Sequence, residues 1–327
     1  MRIFSCNLIL AGFSLAKSFF DTIDYQSVEE MAKMSHNVYY DFTSSHWFNT
    51  TLDIVIDVSI DNSTVKSYLF TNNENDTAVV VFKGTSLYWD STTNAKLTTN
   101  ANGDFTIKSP KSSNDRFNDN LFFSCCFYKQ STLFPNCNTC QEEVTRVTKN
   151  TDTCCKRCYQ DIVQDPMNYI NTIHKIIGVV QTYVDLDNAD VYFTGHSLGG
   201  MLASVASLMY NKVAFTFEVP GDLNYISLTN NWNRVGHKVY HFGHNADPLF
   251  IGKCGMTCSI LGYNVNTKCH SGYTCSYDSK TKLGYTESIL NHRIEYIIKH
   301  IIPNWQGDMP QCIQDTECTD CETWEYV

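Results

Sequence analysis

The sequence predicts an α/β fold in which a mostly parallel central sheet carries a disulfide-rich insertion. Three observations predict it. Apolar, strand-like runs alternate with helix-like segments, an order that favours parallel strands joined by right-handed crossovers. A glycine-rich turn separates one of these strands from the helix after it, and a long polar stretch with seven cysteines interrupts the alternation. The 327 residues fit a single domain of this class.

The first part of the chain predicts one helix and three strands. Apolar residues at helical spacing predict a helix over residues 25–40. Partial alternation over residues 52–60 predicts a strand with one solvent-exposed face, and a polar turn joins it to residues 65–71 in a hairpin. The β-branched run Thr77–Phe82 predicts a strand that is buried on both faces.

Residues 86–161 are the predicted insertion. They are polar, rich in Asn, Ser, Thr and Lys, and carry the seven clustered cysteines. A segment of this length inside a compact domain is commonly functional or tied by disulfides, so we expect an excursion from the core that could include a lid. Its apolar patch, residues 121–128, leaves two interpretations open: contact with lipid, or packing in the core or against disulfides.

The second half of the chain predicts a regular alternation of helices and strands. Helical spacing predicts helices over residues 169–184 and 294–301, and small residues predict a close-packed helix over 202–210. Apolar runs predict strands over residues 190–194, 213–219 and 238–243, with a turn at 195–200.

Composition and charge exclude some classes of protein. Hydrophobic residues make up 43% of the chain and charged residues 18%, which supports a large core and argues against a disordered chain. The formal net charge of −10 argues against nucleic acid as a partner, because phosphate binding requires a basic face.

The N-terminal residues resemble a targeting segment. Arg2 precedes a mostly apolar run at residues 3–16 that is short for a membrane span, and small residues at 14–16 are typical of a cleavage site. We expect residues 1–18 to be a signal peptide or a short signal anchor, followed by a single catalytic domain over residues 19–327.

The cysteines favour an oxidising compartment. The chain has 15 cysteines, and 14 remain when Cys6 is removed with the targeting segment. An even number in a luminal chain is typical of disulfides, whose pairing the sequence does not determine. The competing interpretation is zinc, because Cys137-x-x-Cys140 and Cys318-x-x-Cys321 have ligand-like spacing. Glycosylation sequons at Asn49, Asn62 and Asn75 are compatible with passage through this lumen.

The turn at residues 195–199 predicts a nucleophile. It reads Gly-His-Ser-Leu-Gly and lies between a predicted strand and a predicted helix. In this context a serine sits on a sharp turn that exposes its hydroxyl, and Gly195 and Gly199 leave room for the turn. The sequence therefore predicts Ser197 as the nucleophile of an acyl-transfer site, with tight packing alone as the alternative.

A serine nucleophile needs a base and an acid that orients the base, and in this fold they follow it in the order acid, then histidine. Asp247, in a loop after a strand, is the favoured acid, with Asp222 as the alternative. His292, at the start of a helix, is the favoured base, ahead of His270 and His300. We interpret His196 as a packing residue beside the nucleophile.

The remaining requirement is an oxyanion hole made of backbone N–H donors. Leu198 follows the nucleophile directly, and Thr85 lies in the loop after strand Thr77–Phe82, where Gly84 permits a turn. We expect these two residues to supply the donors. This chemistry requires no metal or cofactor.

Together, the stretches around Gly84, Ser197, Asp247 and His292 resemble the class 3 lipase family of α/β-hydrolases, and the resemblance implies that fold and those site residues. The stretches DNLFFSCC, HFGHNADPL, TKCHSGYTCSYD, NHRI and CTDCETWEY resemble the autophagy-related lipases of fungal vacuoles within it. Two positions depart from the family pattern, Lys83 in place of arginine and Asn245 in place of threonine.

The resemblance implies hydrolysis of acylglycerols and membrane phospholipids. It also implies a lipid or membrane substrate and a route to the vacuole through endosomes and multivesicular bodies, with secretion as an alternative. The sequence contains no evident signal for an obligate protein partner. A luminal small-ester hydrolase and a catalytically silent, lipid-binding relative remain as alternatives.

Overall fold

A computed structural model describes residues 23–58, 65–85, 96–99, 105–108, 110–124, 153–154, 168–230, 238–253, 265, 267–318 and 325–326. The helices are α1 (Tyr25–Asn37), α2 (Pro110–Phe123), α3 (Ile170–Val180), α4 (Leu198–Tyr210), α5 (Leu223–Asn230), α6 (Ser279–Leu283) and α7 (Ile294–Tyr296). The strands are β1 (Asp53–Asp57), β2 (Ser67–Thr71), β3 (Thr77–Phe82), β4 (Lys96–Thr99), β5 (Phe105–Lys108), β6 (Thr153–Cys154), β7 (Asp190–His196), β8 (Val213–Phe217), β9 (Val239–His244), β10 (Tyr273–Tyr277), β11 (Cys312–Ile313) and β12 (Glu325–Tyr326).

A mostly parallel sheet organises the molecule. Among the described residues it has eight strands in the order β1-β2-β3-β7-β8-β9-β10-β11. The five strands from β3 to β10 in this order are mutually parallel, while β1, β2 and β11 add antiparallel edges. The predicted α/β class and parallel sheet are therefore confirmed, and the carboxyl ends of β7, β8 and β9 meet at one edge of the sheet.

The sheet is covered on both faces because its strands alternate apolar side chains between two cores. In β3, Val79 and Val81 pack on one face with α1 and the chain around Trp305. Val80 and Phe82 pack on the opposite face with α2, α3 and α4. Every residue of β3 is buried, as the uninterrupted β-branched run predicts.

The strand–turn–helix unit differs from the prediction at its turn. Strand β7 continues to His196, and helix α4 begins at Leu198, so the turn predicted over residues 195–200 is reduced to Ser197. Of the glycines that suggested a loop, Gly195 lies in the strand and Gly199 and Gly200 lie in the helix, where a Cβ on Gly200 would come within 2.3 Å of the Val219 side chain. They are required by close packing of the helix on the sheet.

Other predicted elements begin and end near their predicted positions, and two strands of the central sheet were not predicted. The hairpin of β1 and β2 and strand β3 are confirmed. Helix α7 covers three residues, and its path continues as a π-helix over Ile297–Ile301 and a 3-10 helix to Trp305. Strands β10 and β11 lie in cysteine-bearing stretches that carried no strand prediction.

The insertion contains more regular structure than the sequence predicts. Helix α2 and the two-stranded pairs β4–β5 and β6–β12 involve its residues. Leu121, Phe122 and Phe123 are fully buried in the core beside α3 and α4, so the lipid-contact interpretation is wrong for them. Residues 125–128 of the same patch lie outside the described residues, as do most of the cysteines.

Two disulfides lie within the described residues. Cys269 pairs with Cys318, and Cys275 pairs with Cys312. Both connect the region of β10 with the C-terminal segment. The zinc interpretation is therefore wrong for Cys318, because its sulfur is bonded to Cys269.

The targeting segment predicted over residues 1–18 lies outside the described residues. Among the residues that are described, no helix has the length and apolar character needed to cross a bilayer.

Candidate active site

Ser197 occupies the sharp turn between β7 and α4. Its backbone angles are φ 57° and ψ −128°, a conformation that costs a residue with a side chain about 1–3 kcal/mol. The turn is held because the Ser197 N–H donates to the Phe217 carbonyl oxygen on β8 at 2.9 Å. The side chain therefore projects at the carboxyl edge of the sheet, in front of the first turn of α4.

The two glycines of the elbow are required by the close approach of neighbouring backbone. A Cβ on Gly199 would lie 2.1 Å from the Phe82 carbonyl oxygen, and one on Gly195 would lie 2.4 Å from backbone atoms of Gly199. Because β3 runs directly against the start of α4, the loop after β3 is brought beside Ser197.

Ser197, His292 and Asp247 form a continuous hydrogen-bonded chain. The His292 Nε2 atom lies 2.9 Å from Ser197 Oγ, and Nδ1 lies 2.7 Å from Asp247 Oδ2. Because a carboxylate only accepts, Nδ1 carries the proton and Nε2 accepts from the serine hydroxyl. All three side chains are buried. The structure thus brings together the three residues that the sequence singled out.

The electrostatics keep Asp247 ionised. Burial alone would raise the pKa of this carboxyl, but the facing His292 imidazole and the hydrogen bonds that Asp247 accepts hold its pKa below the usual value. One of these bonds comes from the Leu249 N–H at 2.9 Å. The carboxylate is therefore suited to orient the imidazole and to balance a positive charge on it.

A short loop holds His292 against the acid. The Asn291 side chain donates to the Ala246 carbonyl oxygen at 3.1 Å and to the Thr286 carbonyl oxygen at 2.9 Å. These bonds tie the residues before His292 to the residue before Asp247. Asn291 was not singled out from the sequence, although it lies in the NHRI stretch.

The predicted oxyanion loop lies beside the elbow. Thr85 is buried, and its hydroxyl donates to Asp119 Oδ2 at 2.7 Å. Burial raises the pKa of Asp119, and the hydroxyl bond opposes that rise. Leu198 is the first residue of α4, where backbone N–H groups precede the first helical hydrogen bond. The fold thus places both predicted donor residues next to Ser197, and Asp119 fixes the loop that carries one of them.

His196 does more than fill space beside the nucleophile. Its Nε2 donates to the His292 carbonyl oxygen at 2.6 Å, and its Nδ1 accepts from the Tyr39 hydroxyl at 2.9 Å. Burial, with a further contribution from His292, lowers the pKa of His196 to about 3, so the ring is neutral and one tautomer satisfies both contacts. The packing interpretation is incomplete for this residue.

The alternative acids and bases lie in other surroundings. The Asp222 carboxylate accepts from the Ser271 N–H at 2.6 Å and from its hydroxyl at 2.8 Å, and His270 Nε2 donates to the Val219 carbonyl oxygen at 2.8 Å. His300 is exposed. Asp222 and His270 thus connect loops of the fold, and none of the described contacts joins these three residues to Ser197.

Two of the three sequon asparagines lie within the described residues. Asn49 and Asn75 are exposed, and Asn75 lies in the turn between β2 and β3 with a φ of 56°. Asn62 lies outside the described residues.

Comparison with known proteins places this site in a family. The model of the family described as Lipase (class 3) matches residues 79–248, which is just over half of the 327 residues. The chain belongs to the class 3 lipase family. The matched range contains Thr85, Ser197 and Asp247, and family membership supports an ester-hydrolysing, lipase function.

Curated relatives of this class 3 lipase carry one recurring name. The protein named "Putative lipase ATG15" of Kluyveromyces lactis is 30% identical over 93% of this chain and 56% of its own length. The protein of that name from Eremothecium gossypii is 31% identical over 93% of this chain and 55% of its own. The chain therefore spans a little more than half the length of these relatives.

Two solved structures of lipases have a distant likeness to this class 3 lipase. Lip2 lipase from Yarrowia lipolytica is 13% identical, with a TM-score of 0.39 over 77% of this chain and 79% of that one. Lipase II from Rhizopus niveus is 14% identical, with a TM-score of 0.39 over 82% of this chain and 92% of that one.

Proposed function

We propose that this chain is a serine-dependent lipase that hydrolyses carboxylic ester bonds of acylglycerols, of membrane phospholipids, or of both. The observation that carries the proposal is the unbroken chain of hydrogen bonds from Ser197 through His292 to Asp247, at 2.9 and 2.7 Å. A neutral imidazole that accepts from a serine hydroxyl and donates to a buried carboxylate has the arrangement that activates serine for acyl transfer.

In the first half of the reaction, Ser197 Oγ attacks the ester carbonyl carbon while its proton passes to His292 Nε2. The carbonyl oxygen becomes an oxyanion, and the backbone N–H groups of Thr85 and Leu198 donate to it. His292 then delivers the proton to the leaving alcohol, and the acyl group stays on Ser197 as an ester. Asp247 remains ionised throughout and stabilises the imidazolium.

In the second half, His292 takes a proton from a water molecule, and the resulting hydroxide attacks the acyl ester. The tetrahedral intermediate uses the same two donors. Its collapse breaks the bond to Ser197 Oγ, which recovers its proton from His292. The fatty acid leaves, and the free enzyme is restored.

The proposed biological role is lysis of autophagic and multivesicular-body membranes in the vacuole. The relatives that carry the name ATG15 support it. The disulfides Cys269–Cys318 and Cys275–Cys312 and the exposed sequon asparagines Asn49 and Asn75 are compatible with the secretory route. We propose the lumen of this pathway, and the vacuole beyond it, as the location.

The decisive experiment compares purified wild type with Ser197→Ala on triacylglycerol and on phosphatidylserine vesicles. We expect Ser197→Ala to lower fatty-acid release by about a thousandfold or more. A matched control is Ser204→Ala, which removes a hydroxyl bonded to the Gly200 carbonyl within the same helix and should keep activity. Equal rates for wild type and Ser197→Ala would reject the hydrolase and favour a silent, lipid-binding relative.

The same assay separates a lipase from a small-ester hydrolase. A lipase is expected to release more product when its substrate forms an emulsion or a vesicle. If the rate per enzyme on a soluble short-chain ester exceeds that on both lipid surfaces and does not rise when an interface forms, a small-ester hydrolase becomes the better description.

A further inference from the structure

Glu218 is a buried carboxyl group beside the site to which the mechanism above gives no role. It follows β8 directly, and its relative exposure is 0%. Its φ of 47° lies in the left-handed region, which residues with a Cβ seldom adopt. The Glu218 N–H donates to the Phe242 carbonyl oxygen on β9 at 2.8 Å, so the sheet holds this conformation. A strained residue at the active edge of a sheet suggests a functional constraint.

The Glu218 carboxyl has no well-formed hydrogen bond to a donor. Among the described residues, no donor makes a hydrogen bond of normal geometry to either of its oxygens. The His244 Nε2 atom is 3.8 Å from Oε1, and its N–H donates to the Asn291 carbonyl oxygen instead. Two polar groups interact with the Glu218 carboxyl: the His244 backbone N–H, which favours its ionised form, and the Asp247 carboxylate. Two ionised carboxylates cannot form a hydrogen bond, so this contact is favourable only when one of them carries a proton.

The charges around Glu218 and Asp247 decide which of the two carboxyl groups carries the proton. Within the described part of the chain, no lysine or arginine pairs with Glu218. Burial lowers the pKa of His244, so this ring is neutral. Burial and the negative charge of Asp247 raise the pKa of Glu218 well above its usual value and outweigh the opposing effect of the His244 backbone N–H, whereas Asp247 faces His292. The proton therefore resides on Glu218 and the charge on Asp247.

We propose that Glu218 is a positioning residue of the triad, whose protonated carboxyl donates a hydrogen bond to the Asp247 carboxylate and holds it towards His292 Nδ1. The inference rests on the proposed function, because it assigns Glu218 a role in the same site. No proton leaves Glu218 during the reaction. Its donor complements the Leu249 N–H, so that the acid is held from more than one side.

Two substitutions separate a donor from a space-filling side chain. Glu218→Gln keeps the shape and an N–H donor but cannot ionise, while Glu218→Met keeps the volume and removes the donor. On p-nitrophenyl butyrate, we expect Glu218→Gln to keep kcat within about twofold of wild type. We expect Glu218→Met to lower kcat about ten- to hundredfold, and KM should be unchanged in both variants. In wild type, kcat should fall at alkaline pH, because Glu218 loses its proton and can no longer donate a hydrogen bond to Asp247. This fall should be absent in Glu218→Gln.

Asp222→Asn is the matched control, because Asp222 is also a buried carboxyl with a raised pKa but contacts Ser271 instead of the triad. It should keep the wild-type decline at alkaline pH. The proposal would be overturned if Glu218→Gln and Glu218→Met lost kcat equally, or if the alkaline decline of kcat persisted in Glu218→Gln.

A second measurement does not depend on ester hydrolysis. The infrared difference spectrum of wild type minus Glu218→Gln at neutral pH should contain the C=O band of one protonated carboxyl. A carboxylate band in its place would contradict the proposed protonation, whatever the catalytic rates. If wild type proves inactive on every ester, the proposed function fails, and the infrared result still reports separately on Glu218.

Discussion

The Nε2 atom of His196 lies 2.6 Å from the backbone carbonyl oxygen of His292. The residue before Ser197 therefore fixes the backbone of His292, the residue proposed as the base. The two belong to segments 96 positions apart in the chain, and the bond between them joins strand β7 to the turn before α7. Alignment of serine and imidazole consequently depends on His196 as well as on the triad.

Replacing His196 should lower the rate without weakening substrate binding. His196→Phe keeps a ring but removes the donor to the His292 carbonyl, so we expect kcat to fall about tenfold with an unchanged KM. His196→Gln can still present an N–H near the Nε2 position and should lose less. Steady-state kinetics on a soluble ester check this, and a Phe variant as active as wild type would show that the bond is dispensable.

The Thr85 hydroxyl should matter through the loop that it anchors. Thr85→Val keeps the volume but removes the donor to Asp119 at 2.7 Å, which frees the backbone N–H from its preorganised position. We expect kcat/KM to fall roughly ten- to hundredfold, less than the full loss of an oxyanion donor. Thr85→Ser retains the hydroxyl and serves as the control. If Thr85→Ser lowered kcat/KM as much as Thr85→Val does, the effect would be due to packing.

Two glycine-to-alanine substitutions should have opposite effects on stability. In Gly199→Ala, the new Cβ would meet the Phe82 carbonyl oxygen at 2.1 Å, so we expect a loss of roughly 1–3 kcal/mol in unfolding free energy or failure to fold. Gly178 lies in helix α3 with nothing within 4 Å of an added Cβ, and Gly178→Ala should stabilise by about 0.5–1 kcal/mol. Urea denaturation measures both; a neutral Gly199→Ala would contradict the packing.

Acid should destabilise the fold partly through His36. Burial lowers its pKa from 6.5 to about 4, so between these values the unfolded chain binds the proton that the folded chain excludes. The contribution of this residue to stability is present above pH 6.5 and is lost as the pH falls towards 4. His36→Phe keeps ring contacts with Tyr40 and Phe48 and removes the titration.

The measurement for His36 is the unfolding free energy from pH 7 to pH 4.5. Between pH 6.5 and 4, the slope of the variant should be smaller than that of wild type by up to about 1.4 kcal/mol per pH unit. The difference at pH 7, where both rings are neutral, gives the packing baseline. Parallel slopes in the two proteins would show that His36 is not the group responsible.

Removing the disulfide between Cys275 and Cys312 should cost stability through the unfolded state. Because the bond Cys269–Cys318 remains, the open path between the two inner sulfurs runs through it and is about a dozen residues long, for which the chain-entropy model gives about 3 kcal/mol. The double variant Cys275→Ser, Cys312→Ser should therefore unfold at lower urea concentration while keeping the hydrogen-bonded triad and its kcat. A loss of kcat in protein that is still folded would show that the edge strands position the site.

The parts of the fold that the sequence predicts are those where the pattern within one segment decides the structure. Strand β3 and helix α3 follow from runs and spacing in their own residues. Helix α2 does not, because Asp115 and Asn118 are buried against Tyr169 and spoil the apolar pattern. Strands β10 and β11 are held by pairing with distant residues and by the disulfide between Cys275 and Cys312, so their own sequence carries little signal.

The same distinction applies to the site. Ser197, Asp247 and His292 are predictable because each residue type is required by the chemistry and each follows a recognisable strand or precedes a helix. Glu218, Asn291 and Tyr39 act through contacts with residues far away in the chain, which no local pattern encodes. His196 was visible in the elbow, but its partner at His292 was not.

The two disulfides are nested, since the pair Cys275–Cys312 lies inside the pair Cys269–Cys318. Once the inner bond has formed, the open path between the outer sulfurs shortens from a separation of 49 residues to about a dozen. The outer thiols then meet at a much higher effective concentration, so whichever bond forms first accelerates the other. Intermediates with only one of these two disulfides should be short-lived during oxidative refolding. The region of β10 and the C-terminal segment should therefore become linked in a single cooperative step.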